Sequence, residues 1–370
     1  MSAERFDTVI IGGGQAGLTT GYYLAKQGRS FVVLDANARI GDAWRTRWDS
    51  LRLFTPARYD GLPGWPFPAP AWSFPTKDEM ADYLEAYAAK FRIPVRTGVS
   101  VGSVTRNGKG YVVEAGDGRI EADNVVVASG AHRVPKTPAF AASLDRGIVQ
   151  IHSNRYRNPS QLPAGDVLIV GVGNSGAEIA KDLAKTHHVL ISGKEKGQIP
   201  VEHSSRAAHV AFRVVRFVGH HLLTQRTAFQ RTLAAKTQKK GTPLIRVKRK
   251  HLDAAGVEWV ARTVGVRDGK PELEDGRVLD VASVIWCTGF RQDYTWIDLP
   301  VFGEDGLPIH QRGVVDAAPG LYFMGLLFQF SESSDVLPSK GRDARYVAKH
   351  IGTRSTNGTR KQPAAPGATR

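Results

Sequence analysis

Two glycine-rich turns are the residues of this sequence whose type and spacing point most directly to chemistry. GGGQAG (12–17) and GVGNSG (171–176) each follow an apolar run and precede a stretch with helical character. In that context a G-x-G-x-x-G motif binds a dinucleotide, because glycine allows a tight turn, a close approach of the diphosphate and close packing of helix on strand. The predicted contact residues are Gly12, Gly14, Gln15, Ala16 and Gly17 in the first turn and Gly171, Gly173, Asn174, Ser175 and Gly176 in the second.

The residues that end the second strand of each unit predict which nucleotide binds there. Asp35, followed by Ala36, ends the strand SFVVLD, and a carboxylate at this place accepts hydrogen bonds from ribose hydroxyls and repels a 2′-phosphate. Ser192 and Lys194 stand at the corresponding place in the second unit, where a hydroxyl and an ammonium suit a 2′-phosphate. We therefore expect FAD or NAD at the first turn and NADPH at the second. The alternative is that the basic side chain of Lys194 simply lies at the surface.

The elements that must position the two turns alternate between strand and helix. Each strand–helix–strand unit is followed by a buried strand that ends in a small residue and glycine, at Ser129-Gly130 and at Thr288-Gly289. This order predicts an α/β fold with two Rossmann-like dinucleotide-binding domains, the second inserted into the first. The predicted boundaries are 1–158 and 291–352 for the FAD-binding domain, 159–290 for the NADPH-binding domain and 353–370 for a disordered tail.

Length and composition place the chain among ordinary globular proteins. It has 370 residues, 42% of them hydrophobic, which is enough for two domains with a substantial core. No apolar run approaches the roughly 20 residues that span a bilayer, and no signal peptide precedes the first strand. The single cysteine, Cys287, excludes an internal disulfide and a C-x-x-C pair. We expect a cytoplasmic protein without a bound metal.

Positive charge is concentrated in one part of the chain. The net charge is +15, and residues 203–251 contain twelve Lys or Arg and no Asp or Glu. A solvated helical face is the favoured interpretation, and nucleic acid is disfavoured because no nucleic-acid-binding motif accompanies the charge. Peripheral contact with a membrane stays open, because HVAFRVVRFVGHHLL within this basic segment has an apolar side.

An aromatic segment, residues 44–74, follows the first unit. It is rich in proline and contains four of the seven Trp residues. A connection of this length inside a compact domain is usually functional. We expect it to wall a binding site.

These motifs together resemble the class B flavin-dependent monooxygenases, the flavin-containing monooxygenase superfamily. The likeness is greatest to the short bacterial members and to the plant enzymes of auxin synthesis. It extends over residues 5–350 and is carried by GGGQAG (12–17), GDAWRTRWDSLRL (41–53), ASG (128–130), HSNRY (152–156), GVGNSG (171–176) and CTGF (287–290).

The resemblance implies a reaction as well as a fold. NADPH would reduce FAD, and the reduced flavin would react with O₂ to give a C4a-(hydro)peroxyflavin that oxygenates a nitrogen, sulfur or carbonyl centre of a small organic substrate. It implies that Trp44 packs on the flavin ring and that His152 and Tyr156 act in the catalytic centre or position the nicotinamide. The other predicted cofactor contacts are Gly41, Leu51, Val101, Ser129, Gly130, Thr288, Gly289 and Gly325.

Two other functions are compatible with the same motifs. One is an NADPH oxidase or flavin reductase that never oxygenates an organic substrate. The other is a flavin-binding redox sensor whose basic segment docks on nucleic acid or on a membrane.

Overall fold

A computed structural model describes residues 4–130, 134–195, 197–203, 205–226 and 243–354. The predicted tail from residue 355 and the middle of the basic segment, residues 227–242, lie outside this part of the chain. In chain order the strands are β1 (Glu4–Ile11), β2 (Phe31–Leu34), β3 (Val95–Arg96), β4 (Val101–Asn107), β5 (Gly110–Ala115), β6 (Gly118–Val127), β7 (Val134–Pro135), β8 (Val149–His152), β9 (Val167–Val170), β10 (Val189–Ser192), β11 (Glu258–Val260), β12 (Thr263–Arg267), β13 (Lys270–Leu273), β14 (Ser283–Trp286), β15 (Phe290–Arg291) and β16 (Leu321–Phe323).

The helices connect these strands and close the chain. In chain order they are α1 (Gln15–Lys26), α2 (Asp42–Arg45), α3 (Lys77–Lys90), α4 (Asn174–Leu183), α5 (Arg206–Phe217), α6 (Arg249–Asp253) and α7 (Lys340–Thr353). A π-helical turn, Val218–Leu222, continues α5, and short 3-10 turns lie at Ala57–Tyr59, Ala139–Ser143, Pro159–Gln161, Glu332–Asp335 and Leu337–Ser339. α3 begins with a capping box: the Thr76 side chain accepts from the N–H of Glu79, whose carboxylate accepts from the N–H of Thr76.

The first sheet holds the first glycine turn. Its strands run in the order β3-β2-β1-β6-β5-β4, and β16 pairs with the end of β6 on the side opposite β1. β1, β2, β3, β6 and β16 are parallel, whereas β4, β5 and β6 form an antiparallel meander. The late strand β16 therefore returns the chain to the first sheet.

The second sheet has five parallel strands in the order β11-β10-β9-β14-β8. β8 pairs with β14, and Ala141 and Leu144 pack into the core of this sheet. The second domain thus includes residues that the sequence assigned to the first, and the predicted start at 159 is too late. The sequence placed the start of this domain from its glycine turn. β8 lies before that turn and belongs to the domain through its pairing with β14, which is far away in sequence.

The chain crosses between the two sheets through a short antiparallel ribbon. β7 leads out of the first sheet and β15 leads back to it, and the two strands pair with each other at Phe290–Pro135 and Arg291–Val134. The largest hydrophobic cluster contains buried residues from both sheets, including Ile10 of β1 and Ile169 of β9. The two domains therefore share a continuous packed interface. Among the described residues, no helix is both long and apolar enough to cross a bilayer.

Replacing Gly176 with alanine should destabilise the protein, because the added Cβ would lie 2.0 Å from the carbonyl oxygen of Gly171. The backbone must move to relieve this contact, at a cost of about 3 kcal/mol. Urea unfolding measures the change. Gly173→Ala is the matched control, since its backbone is extended and nothing lies within 4 Å of an added Cβ. Equal unfolding midpoints for the two variants would contradict the prediction.

Candidate functional site

The first glycine turn lies at the carboxyl end of β1 and passes against the end of β6. Gly12 has a φ of +112°, and a Cβ there would lie 2.4 Å from the carbonyl oxygen of Ala128. A Cβ on Gly17 would lie 1.9 Å from the carbonyl oxygen of Gly12. Gly14, the N-cap of α1, faces open space instead. The turn thus leaves the first amides of α1 beside a space that a diphosphate fits.

The carboxylate of Asp35 is almost fully buried beside this turn. Its Oδ2 accepts from the backbone N–H of Gly13 at 2.5 Å, and its Oδ1 accepts from the backbone and the side chain of Asn37 at 2.7 and 2.8 Å. These bonds hold the carboxylate at the strand end. Its remaining lone pairs suit ribose hydroxyls. Ala36 is exposed next to it.

The second glycine turn repeats the geometry of the first. Gly171 has a φ of +115°, and a Cβ there would lie 2.4 Å from the carbonyl oxygen of Cys287. Gly173 faces open space at the N-terminus of α4. The Asn174 amide closes one side of this turn, because its Nδ2 donates to Pro243 at 3.1 Å and its Oδ1 accepts from Ile245 at 2.9 Å. Ser175 follows, partly exposed.

The two residues predicted to hold a 2′-phosphate occupy different environments. Ser192 is fully buried, and its hydroxyl donates to the Ala261 carbonyl at 2.9 Å and accepts from the N–H of Thr263 at 2.8 Å. That hydroxyl joins β10 to the connection after β11, so the expectation that it reaches a phosphate is corrected. Lys194 is exposed at the strand end, beyond the left-handed Gly193.

His152 lies at the joint between the domains. Its Nε2–H donates to the carbonyl of Gly289 at 3.0 Å, and its Nδ1 accepts from the N–H of Asn154 at 3.3 Å. The Gly289 carbonyl also accepts from the N–H of Lys136 at 2.9 Å, and the Thr288 hydroxyl donates to the Lys136 carbonyl. Burial lowers the pKa of His152. The neutral ring therefore fixes the crossover ribbon on the end of β8.

Tyr156 follows His152 closely, and its backbone N–H donates to the His152 carbonyl at 3.2 Å, but its side chain points into the core. It is fully buried, and its hydroxyl donates to Asp182 of α4 over 3.4 Å. Burial raises its pKa, so the phenol stays protonated. The side chains of His152 and Tyr156 in the HSNRY motif thus have different partners, Gly289 and Asp182.

The turn that begins at Gly41 packs against α3 and reaches toward the ribbon. Gly41 has a φ of +91°, and a Cβ there would lie 2.6 Å from the carbonyl oxygen of Ala81. Trp44 is partly buried against the main hydrophobic cluster. The guanidinium of Arg47 lies 5.8 Å from the centre of the Phe290 ring in β15. This segment therefore connects the first domain to the crossover.

The other predicted cofactor contacts lie around the first glycine turn or in the main hydrophobic cluster. Ser129 and Gly130 follow β6, and Gly325 follows β16, so all three lie at the carboxyl edge of the first sheet. Val101 begins β4 close to Asp35, because the N–H of Val99 donates to the Asp35 carbonyl at 2.9 Å. Leu51 is buried in the main cluster.

The aromatic segment meets α5 of the second domain. Trp72 stacks on His209 with ring centres 3.7 Å apart and planes 9° apart, and the Phe74 ring lies 3.9 Å from that of His203. The Nε2–H of His203 donates to the carbonyl of Phe54 at 2.7 Å. Burial lowers the pKa of His203 to about 4, so the imidazole is neutral at pH 7. These contacts close one side of the space between the domains.

Two buried ionisable residues were missed by the sequence analysis. Asp60, in the aromatic segment, accepts from the Thr55 hydroxyl, and burial raises its pKa to about 8. Lys340, the first residue of α7, is only 2% exposed. Neither lies in a recognisable motif. Lys340 is a basic residue at the start of the closing helix, and its sequence neighbours do not indicate that it is buried.

Comparisons with known proteins agree with this architecture. Residues 9–325 match the family described as pyridine nucleotide-disulphide oxidoreductase. An uncharacterised CzcO-like oxidoreductase of Geobacillus kaustophilus is 38% identical over 93% of this chain and 98% of its own length. The probable indole-3-pyruvate monooxygenase YUCCA3 of Arabidopsis thaliana is 30% identical over 81% of this chain and 77% of its own length.

A solved structure gives the same result in three dimensions. A flavin monooxygenase mutant from Stenotrophomonas maltophilia superposes with a TM-score of 0.76 and 28% identity, covering 94% of this chain and 98% of the other. With two open glycine turns in two Rossmann-type domains, these similarities show that the chain belongs to the pyridine nucleotide-disulphide oxidoreductase family and, within it, to the flavin-dependent monooxygenases of the flavin-containing monooxygenase type, which use FAD and NADPH.

Proposed function

We propose that FAD occupies the first glycine turn and NADPH the second, and that the protein uses them to insert one oxygen atom of O₂ into a small organic substrate. The observation that carries this proposal is the pair of open turns at Gly14 and Gly173, in domains joined by one short ribbon. Asp35 favours a cofactor without a 2′-phosphate at the first turn. The exposed ammonium of Lys194 favours the phosphorylated cofactor at the second.

When bound, the cofactors would supply the redox chemistry: FAD would accept a hydride from NADPH, and the reduced flavin would react with O₂. The contribution of the protein is to orient the two rings and to exclude water. His152 serves the first purpose, because its bond to Gly289 anchors the crossover ribbon to the second sheet. The aromatic segment serves the second, through the contacts of Trp72 and Phe74 with α5.

The alternative functions differ in what the protein does with reduced flavin. A thiol–disulfide reductase with an internal thiol pair is excluded by the single cysteine, and burial raises the pKa of the Cys287 thiol to about 12. An NADPH oxidase would use the same two turns and release peroxide. The aromatic segment, which closes one side of the space between the domains, favours oxygenation, because an oxidase has no need to exclude water from the flavin.

A second proposal concerns the exposed face of α5, which suits the surface of an anionic membrane. Val210, Val214 and Phe217 recur at helical spacing and are 60, 55 and 57% exposed. Arg206 and Arg213 are exposed on the same helix.

The opposite side of α5 packs on the aromatic segment through His209 and Phe212. An outer apolar stripe with cationic neighbours is typical of a helix that lies in the membrane interface. The absence of acidic residues from 203–251 complements a negative lipid surface.

Substrate should couple NADPH oxidation to oxygenation rather than to release of peroxide. The test adds O₂ to the NADPH-reduced protein with a panel of amines, sulfides, ketones and 2-oxo acids, including the indole-3-pyruvate named for the plant relatives. We expect one panel member to suppress peroxide and to yield a product that carries one atom of ¹⁸O from ¹⁸O₂. Stoichiometric peroxide with every compound would favour the oxidase.

Trp72→Ala should raise the share of NADPH that ends as peroxide, because the variant loses the stack on His209 and admits water. Trp259→Ala is the matched control. Trp259 lies on β11 of the second domain, where its indole N–H donates to Asp253. Equal peroxide yields from the two variants would contradict the role of the wall.

Lys194→Ala should lower the preference for NADPH over NADH about tenfold, the equivalent of ~1.4 kcal/mol, because a charge-assisted contact with the 2′-phosphate is lost. The ratio of kcat/KM for the two nucleotides measures this preference. Lys181→Ala, an exposed lysine on α4, controls for the loss of a positive charge alone. A similar decrease in both variants would reassign the preference to the overall field.

Val214→Gln combined with Phe217→Gln should weaken binding to phosphatidylserine vesicles about tenfold or more, since each buried apolar side chain contributes roughly 1.5–3 kcal/mol. Co-sedimentation at low and high salt measures binding. Ile309→Gln is the control, because Ile309 is equally exposed but lies outside α5. Failure of the unmodified protein to bind anionic vesicles at low salt would refute this proposal.

A further inference from the structure

A buried lysine lies at the edge of the first glycine turn. A Cβ built on Gly325 would come within 3.4 Å of the Nζ of Lys340 and within 3.3 Å of the Cβ of Ala16. Ala16 is the second residue of α1, and Gly325 follows β16 at the carboxyl edge of the first sheet. The Lys340 ammonium therefore lies beside the space onto which the open turn at Gly14 faces.

The charge of this ammonium is poorly balanced within the described part of the chain. Its Nζ donates to the carbonyl of Ser334 at 2.7 Å, and no described carboxylate oxygen lies within 4.0 Å of it. Asp335 and Asp343 act on it from a greater distance, and the Oδ1 of Asp343 already accepts from Arg342 at 2.9 Å. A buried cation without an adjacent counter-ion is costly.

Two further observations increase the positive potential at this place. Lys340 is the first residue of α7, a helix of 14 residues whose N-terminus carries a partial positive charge. Burial lowers the pKa of Lys340 to about 8, which still leaves most of the amine protonated at neutral pH. The ammonium near Gly325 thus belongs to a residue at a helix N-terminus, and both positive charges favour an anion nearby.

We propose that Lys340 is a binding residue for FAD, with its ammonium set against a negative charge of the cofactor. That charge is either the diphosphate or the charge that the flavin ring acquires on reduction. This proposal rests on FAD binding at the first turn and not on oxygenation. Its readouts are measured without O₂, so they are independent of whether the protein oxygenates a substrate.

The experiment compares Lys340→Met, Lys340→Gln and Lys340→Arg with the unmodified protein. Gln keeps a donor for the Ser334 carbonyl without the charge, and Arg keeps the charge. Lys349→Met is the matched control, because Lys349 is exposed on the same helix. The dissociation constant of FAD is measured on apoprotein by flavin fluorescence, and the two-electron midpoint potential by equilibration with a reference dye under nitrogen.

We expect Met and Gln to weaken FAD binding about tenfold, Arg to retain most of it and the control to be unchanged. Equal weakening for oxidised and reduced flavin would assign the charge to the diphosphate. A tenfold loss of preference for reduced flavin, which is ~30 mV in the potential, would assign it to the ring. The neutral apoproteins should melt no lower than the unmodified apoprotein. Unchanged affinity and potential in both neutral variants would overturn the proposal.

Discussion

The contact between the backbone of each glycine turn and the end of a neighbouring strand constrains the rest of the structure. Gly12 lies against the Ala128 carbonyl and Gly171 against that of Cys287, at distances that exclude any side chain. Because each turn packs directly on the end of the neighbouring strand, the helix that follows the turn starts at the carboxyl edge of the sheet. The backbone amides of its first turn then face away from the sheet. Because both glycine turns meet this constraint, they have the same shape in the two domains.

The two glycine turns differ in the residues at the end of the next strand, β2 in the first unit and β10 in the second. The first ends in a carboxylate held by three hydrogen bonds, and the second ends in a buried hydroxyl followed by an exposed ammonium. Residues far from either turn in sequence connect the two domains. The ribbon of β7 and β15 carries the chain across, and His152 fastens the ribbon to β8. The ribbon and the bond of His152 therefore help to set the relative position of the two glycine turns.

The parts of the fold that depend on local sequence were predictable, and those that depend on distant pairing were not. The glycine turns, the capping box at Thr76 and the late strand β16 have signals within a few residues. β8 carries no such signal, since its place in the second sheet depends on its pairing with β14. Ser192 could not be judged from sequence, because its hydroxyl is satisfied by a segment about 70 residues away. Lys340 was missed for a related reason: nothing near it in sequence indicates that it is buried.

The path of α5 limits how the two halves of the molecule can move. This helix belongs to the second domain, yet Trp72 stacks on its first half. Just beyond its π-helical turn, the backbone N–H of Gln225 donates to the carbonyl of Phe330 at 2.8 Å, and its side-chain Nε2 donates to that of Phe328 at 2.6 Å. Swinging the domains apart about the ribbon would leave the ribbon intact but would break attachments at both ends of this helix. Opening by rotation is thus resisted at two separated points, and exchange of nucleotide and substrate must proceed by small sliding displacements or by local release of the helix.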